Sequence, residues 1–114
     1  MLGVIVVGMD WKLRAGVRAE LLGRGIEALG MERLDDALRE VARGGIPSAI
    51  VVDAECLAGA TGLDALARRV PFLVVASRAV RTPRLPAAVT VMYRPVSIGE
   101  IVNRVLELLQ GQAA

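Results

Sequence analysis

The sequence predicts a single α/β domain in which helices cover both faces of a central parallel sheet. Three observations carry this prediction. Short runs rich in Val and Ile alternate with segments of helical periodicity along the 114 residues. These runs are apolar at consecutive positions, as expected of strands that are buried on both faces. The composition is 54% hydrophobic but only 3% aromatic, so the core must consist of Val, Leu, Ile and Ala.

The first strand and the first helix follow from the residue pattern. Residues 4–7 are all β-branched, which favours a strand. The Asp10 side chain can cap a helix N-terminus, and the apolar residues after it recur at helical spacing: Leu13, Val17, Leu21 and Leu22. Glycines at positions 23 and 25 end this helix. A short, weak strand is predicted at 26–29, closed by Gly30.

The middle of the chain continues the alternation. The second helix has apolar residues at i, i+3, i+4, i+7 and i+8, namely Leu34, Ala37, Leu38, Val41 and Ala42. Glycines 44 and 45 end it, and the third strand at 49–52 is uniformly apolar. A shorter third helix from Leu63 to Val70 stops at Pro71, before a fourth strand at 72–76.

The interval between the fourth and fifth strands breaks the alternation. Its twelve residues, 77–88, include Pro83 and Pro86, and each removes a backbone donor and disfavours helix just before it. A parallel crossover needs about a dozen residues, so we expect a shortened or irregular crossover in place of a full fourth helix. The fifth strand is predicted at 89–92. Ser97 and Glu100 then form an S-x-x-E capping box for the last helix.

Composition excludes several classes of function. The chain has no histidine, which excludes Ser-His-Asp and Cys-His hydrolases and most zinc sites. The single cysteine, Cys56, cannot form an internal disulfide, fits a reducing compartment and is expected to be a small apolar residue. A net charge of +2 is too small to indicate nucleic acid. The apolar stretch 2–9 is too short to span a bilayer, so we expect a cytoplasmic protein.

The boundaries expected from the sequence are a domain at 1–110 and a frayed tail or the start of a linker at 111–114. Trp11 is expected to pack against the loop that it follows. The arginines of the crossover, Arg78, Arg81 and Arg84, are interpreted as a modest, solvated basic patch.

The most informative polar residue is Asp53, which ends the apolar run AIVVD. In sheets of this kind the carboxyl ends of the strands form the edge at which ligands bind. The first strand, by contrast, is followed by Gly8 and Met9, where a metal-dependent phosphate site would need acids.

In order and spacing, nearly the whole chain resembles the receiver domains of two-component response regulators, the CheY-like family. The segments that carry this resemblance are VIVV before a loop and helix, AIVVD, FLVVAS and the YRP at 93–95. The resemblance implies a three-layer, doubly wound fold with a five-stranded parallel sheet in the order 2-1-3-4-5. It also implies that Asp53 accepts a phosphoryl group and that two acids after the first strand hold Mg²⁺. A Ser or Thr that ends the fourth strand and a Lys before a Pro at the end of the fifth then contact the phosphoryl oxygens.

On the metal side of this pattern, the match is partial. Gly8 and Met9 stand where the acid pair belongs. Asp10 comes one position late and is favoured as a helix N-cap. Weak Mg²⁺ ligand candidates are therefore Asp10, Asp53 and Glu55, although a solvated loop acid is the favoured interpretation of Glu55.

On the phosphate side, Ala76 stands at the hydroxyl position, and a one-residue shift would place Ser77 there. Arg94 replaces the Lys, and Pro95 is kept as a candidate cis-proline. Arg94 and Ser77 are thus the candidate phosphate contacts. Arg94 is expected either to pair with Asp53 across the strand ends or to face solvent.

These departures favour an atypical receiver-like signalling module, a pseudo-receiver, that is not an enzyme and acts through protein–protein interaction. Its expected partner is a histidine kinase, another receiver or a second copy, with a homodimer as one form and no role for nucleic acid or membrane. One alternative is a working receiver of a phosphorelay, phosphorylated on Asp53 by a histidine kinase. Another is a small α/β ligand-binding domain or enzyme that uses the same edge of the sheet.

Overall fold

Five parallel strands form one sheet in the order β2-β1-β3-β4-β5, which confirms the predicted fold class. The computed structural model describes residues 2–58, 62–77, 85 and 89–112. Its elements, in chain order, are β1 (Leu2–Val7), α1 (Trp11–Gly23), β2 (Ala28–Met31), α2 (Leu34–Ala42), β3 (Pro47–Asp53), a short 3₁₀ helix (Ala54–Leu57), α3 (Leu63–Arg69), β4 (Phe72–Ala76), β5 (Thr90–Tyr93) and α4 (Ile98–Gln112).

Two hydrophobic clusters cover the two faces of the sheet. On one face, α1 and α4 pack on alternate strand residues such as Val4, Val6 and Val51. On the other face, α2 and α3 pack on the intervening residues, such as Ile5 and Val52. Because both faces are covered, almost every position of the central strands β3 and β4 is buried, which is why these strands are nearly all apolar.

The position of β2 corrects the prediction, because this strand spans Ala28–Met31 instead of residues 26–29. The N–H of Ile26 donates to the carbonyl of Leu21 at 3.0 Å, so Ile26 still belongs to the turn that ends α1. Pairing with β1 begins only at Ala28 and includes Gly30, which was expected to close the strand.

The capping box of the last helix is confirmed. The N–H of Glu100 donates to Ser97 Oγ at 3.1 Å, and the N–H of Ser97 donates to Glu100 Oε1 at 3.2 Å. The helix α4 that follows extends to Gln112 and so includes the first two residues of the predicted tail.

The irregular crossover predicted at 77–88 and the basic patch at Arg78, Arg81 and Arg84 fall largely outside the described residues. Leu85, which is described, packs against the cluster formed with α2 and α3. Among the helices that the structure describes, none has the length and apolar character needed to cross a membrane.

Candidate functional site

Asp53 lies at the carboxyl edge of the sheet as the last residue of β3. It is paired with Val75 of β4, and its side chain is only 6% exposed. Asp53 also caps the 3₁₀ helix that follows, because its Oδ1 accepts the N–H of Glu55 at 3.2 Å. A short acidic side chain at such a turn is well suited to this capping role, so local sequence alone orients one carboxylate oxygen.

The second oxygen of Asp53 is held by Arg94. The N–H of Arg94 donates to the carbonyl of Ala76 at 2.8 Å, which continues the β4–β5 pairing and brings Arg94 to the same edge. Arg94 Nη2 then donates to Asp53 Oδ2 at 2.8 Å, which confirms the ion pair across the strand ends. The Arg94–Pro95 peptide bond is cis. Both oxygens of Asp53 therefore have donors, one of them charged.

The position after β1 has room for a side chain but carries none. A Cβ placed on Gly8 would lie 4.0 Å from Asp53 Cβ and 3.6 Å from Leu13 Cδ2, both ordinary contact distances. The carbonyl of Gly8 accepts a hydrogen bond from Arg14 Nη1. Met9 is 71% exposed and offers no oxygen ligand.

The weak metal-ligand candidates do not assemble into one site. Asp10 is exposed, and its Oδ1 caps α1 by accepting the N–H of Lys12 at 3.0 Å, as predicted. Glu55 is exposed on the 3₁₀ helix. Within residues 2–58, 62–77, 85 and 89–112, no three His, Cys, Asp or Glu side chains come together in a way that could hold a metal ion.

The last residue of β4, where the resemblance calls for a Ser or Thr, is Ala76. Ala76 is the buried last residue of β4 and pairs with Tyr93. Ser77 comes next and is half-buried. Its role as a phosphate contact remains a prediction.

The exposure of Trp11 and the contacts of Arg14 were not predicted from the sequence. Trp11 is 63% exposed, so the expected packing against the loop is wrong. Arg14 was not singled out, yet its stem covers Gly30, where an added Cβ would lie 2.8 Å from Arg14 Cγ. Its guanidinium reaches Gly8 and lies 3.9 Å from Glu32. Arg14 follows Leu13 and precedes Val17 by one helical turn, so it lies at the margin of the apolar stripe of α1. This position was the sequence signal that its side chain could be partly buried.

A surface cavity of about 320 Å³ lies next to this edge. Met9, Glu32, Asp35, Glu55 and Cys56 are among its lining residues. The Cys56 thiol is half-buried, and its Sγ lies 3.7 Å from the carbonyl of Glu32. Burial raises the pKa of this thiol. A backbone hydrogen bond with Met9 lowers this pKa, whereas the nearby carboxylates of Asp53 and Glu55 raise it further.

Structural comparison finds many receiver domains. A Francisella response regulator receiver domain matches with a TM-score of 0.76 at 17% identity, covering 98% of this chain and 99% of that one. A putative response regulator from Chloroflexus aurantiacus matches with a TM-score of 0.74 at 20% identity, covering 96% and 98%. A lysine decarboxylase from Francisella novicida also matches, with a TM-score of 0.76 at 11% identity, but 96% of this chain covers only 17% of that enzyme.

No protein-family model matches the sequence, and neither does any curated protein. At these identities the structural similarity establishes the fold alone, and function must be argued from the residues at the site. The chain has the CheY-like receiver fold. This conclusion rests on the strand order, on the helices that cover both faces of the sheet, and on the solved structures that the chain resembles.

Proposed function

We propose that this protein is an atypical receiver-like signalling module that acts by binding another protein, without normal Mg²⁺-dependent phosphorylation. The observation that carries the proposal is the state of Asp53. Its two oxygens accept hydrogen bonds from the Glu55 backbone and the Arg94 guanidinium. A cytoplasmic location and a partner that is a kinase, another receiver or a second copy belong to the same proposal.

The chemistry of phosphoryl transfer supports this proposal. Transfer to a carboxylate brings several negative charges together, and catalysis depends on cations placed to neutralise them. The two residues after β1 have no carboxylates here, which weakens any Mg²⁺ site beside Asp53. Arg94 supplies one positive charge, but it neutralises Asp53 itself. An incoming phosphoryl group would therefore have to displace this ion pair without the usual metal.

The arrangement also explains how a receiver fold can signal without a switch. In this proposal the ion pair between Asp53 and Arg94 holds the ends of β3 and β5 in one relative position. A partner then meets a constant surface, so signalling would depend on the amounts of the two proteins instead of on a phosphoryl group.

One observation favours the alternative of a working receiver. Asp53 lies at the edge beside unfilled space at Gly8, and the carboxylate of Glu55 is exposed nearby. In that case Asp10 and Glu55 would recruit Mg²⁺, Ser77 and Arg94 would contact the phosphoryl group, and Asp53 would be modified by a kinase.

Intact-mass measurement distinguishes the two functions. The protein is incubated with Mg²⁺ and acetyl phosphate, with Asp53→Ala as the control, while the fluorescence of Trp11, the only tryptophan, is followed. We expect no mass gain and no fluorescence change. A gain of one phosphoryl group that the control lacks would overturn our proposal and establish the working receiver.

A further inference from the structure

The cavity beside Met9 is negatively charged, whereas the chain as a whole is positively charged. Its lining includes three carboxylates, Glu32, Asp35 and Glu55, against one cation, Arg33. The chain as a whole carries a net charge of +2. The cavity is therefore a local negative region on a basic protein, and it attracts cationic groups.

The carboxylates of this cavity are loosely held. Glu32 lies 3.9 Å from Arg14 and Asp35 lies 3.5 Å from Arg33, the two longest ion pairs among the described residues. The Glu55 carboxylate makes no hydrogen bond or ion pair within the described part of the chain. The exposed Glu107, by comparison, lies 2.6 Å from Arg104. These three acids are thus available to a cation from outside.

Two large apolar side chains, one at the start of α1 and one just before it, are strongly exposed. Met9, which lines the cavity, and Trp11, two residues on, are 71% and 63% exposed, the largest exposed fractions among the described large hydrophobic residues. Exposed apolar surface is unfavourable in water, and Met and Trp are enriched at the centres of protein–protein interfaces. The buried Leu34 and the half-buried Cys56 continue this apolar surface into the cavity.

We propose that Met9, Trp11 and the acidic cavity, together termed the rim surface, dock a basic segment of a partner protein. The segment carries Lys or Arg beside a large apolar residue. Charge complementarity selects the basic side chain, which enters the cavity between Glu32, Asp35 and Glu55. The apolar residue covers Met9 and Trp11. The inference deepens the proposed function and rests on it, since it gives the partner's binding site and chemistry.

A peptide selection tests the charge and apolar requirements together. The full protein is immobilised and used to select from a random library of displayed 12-residue peptides. We expect enrichment of peptides with Lys or Arg next to Leu, Ile, Phe or Trp, and a change in Trp11 fluorescence when a selected peptide is titrated. Selection of neutral or acidic peptides, or no enrichment, would overturn the proposal.

Two triple variants with equal net charge supply the control. Glu32→Gln/Asp35→Asn/Glu55→Gln neutralises the cavity, and Glu20→Gln/Glu27→Gln/Glu107→Gln neutralises three exposed acids elsewhere. The first variant loses three exposed charge pairs with the peptide, so its affinity for the selected peptide should fall roughly tenfold. The affinity of the second variant should change little. Met9→Ala should also weaken binding. Equal affinity of the two triple variants would contradict the docking mode.

The failure of this inference is distinguishable from the failure of the proposed function. Phosphorylation of Asp53 by acetyl phosphate would overturn the proposed function, and the peptide selection would still give its own result. A failed selection removes the rim surface as the docking site and leaves the absence of phosphorylation to be measured separately.

Discussion

Arg94 Nη2 lies 2.8 Å from Asp53 Oδ2, although β3 and β5 are not neighbours in the sheet. Strand β4 runs between them, so the Arg94 side chain crosses the end of β4 to reach the carboxylate. The contact is asymmetric, since the Asp53 side chain is 6% exposed and the Arg94 side chain 37%. The buried partner depends more on the pair, because an unpaired buried charge is costly and a solvated guanidinium is not.

Removal of Arg94 should destabilise the protein. Arg94→Ala leaves the Asp53 carboxylate buried with one backbone donor, and we expect a loss of about 1–3 kcal/mol in the free energy of unfolding. Urea denaturation followed by circular dichroism measures this. Arg104→Ala, which breaks the exposed pair with Glu107, is the control and should change stability by less than about 1 kcal/mol. Equal losses in both variants would show that the Asp53 pair has no special importance.

Restoring acids after β1 should create metal affinity. Gly8→Asp/Met9→Asp supplies two carboxylates after β1, and the space at Gly8, 4.0 Å from Asp53 Cβ, accepts a Cβ at ordinary contact distances. Carboxylates are the protein ligands that Mg²⁺ prefers, so we expect at least a roughly tenfold gain in Mg²⁺ affinity. Titration of Trp11 fluorescence measures it, with Gly8→Ala/Met9→Ala as the uncharged control. If the wild type binds Mg²⁺ as tightly as the acidic variant, the premise of a lost metal site is wrong.

Cys56 should react slowly with thiol reagents. Burial raises the pKa of its thiol, with contributions from the carboxylates of Asp53 and Glu55, so the reactive thiolate is scarcer than for a free cysteine at the same pH. The rate of iodoacetamide alkylation should rise with pH later than it does in the unfolded protein. Glu55→Gln removes one negative charge and should increase the rate at pH 8. A rate that Glu55→Gln leaves unchanged would contradict the electrostatic contribution.

The contact between Arg14 and Gly30 should appear as an energetic coupling. In Gly30→Ala the new Cβ would lie 2.8 Å from Arg14 Cγ, so the arginine must move and its hydrogen bond to Gly8 weakens. We expect a loss of roughly 1 kcal/mol in stability. Most of this penalty should disappear in an Arg14→Ala background, as a double-mutant cycle by thermal denaturation would show. Additive effects of the two changes would mean that the contact is not responsible.

Much of the fold could be predicted because its signals are local. Apolar runs identified β1, β3, β4 and β5, whereas β2 was a weaker prediction. Helical spacing identified α1, α2 and α3, and the capping box marked the start of α4. The weak strand was misplaced by two residues because Ile26 is apolar but is used by the turn that ends α1. An apolar residue at a helix end has the same appearance in sequence as one that begins a strand, and only the register with β1 distinguishes them.

The candidate site was predicted unevenly. Asp53 was found because a carboxylate at the end of an apolar strand is conspicuous, and Asp10 because an N-cap acts on its own helix. Arg14 was missed because the residues it contacts, Gly8, Gly30 and Glu32, come from other elements of the chain. Trp11 was misjudged because exposure depends on neighbours that its own segment does not reveal.

The sequence by itself determined the strands and helices, the parallel α/β architecture, the N-caps of α1 and α4, and the absence of acids after β1. These properties depend on side chains that are near in the chain or repeat at a regular period. Only the tertiary structure decided that Arg94 pairs with Asp53, that Arg14 covers Gly30, that Met9 lines an acidic cavity, and that Trp11 is exposed. Each of these requires separate segments to meet at one edge of the sheet, and that meeting is set by packing across the whole domain.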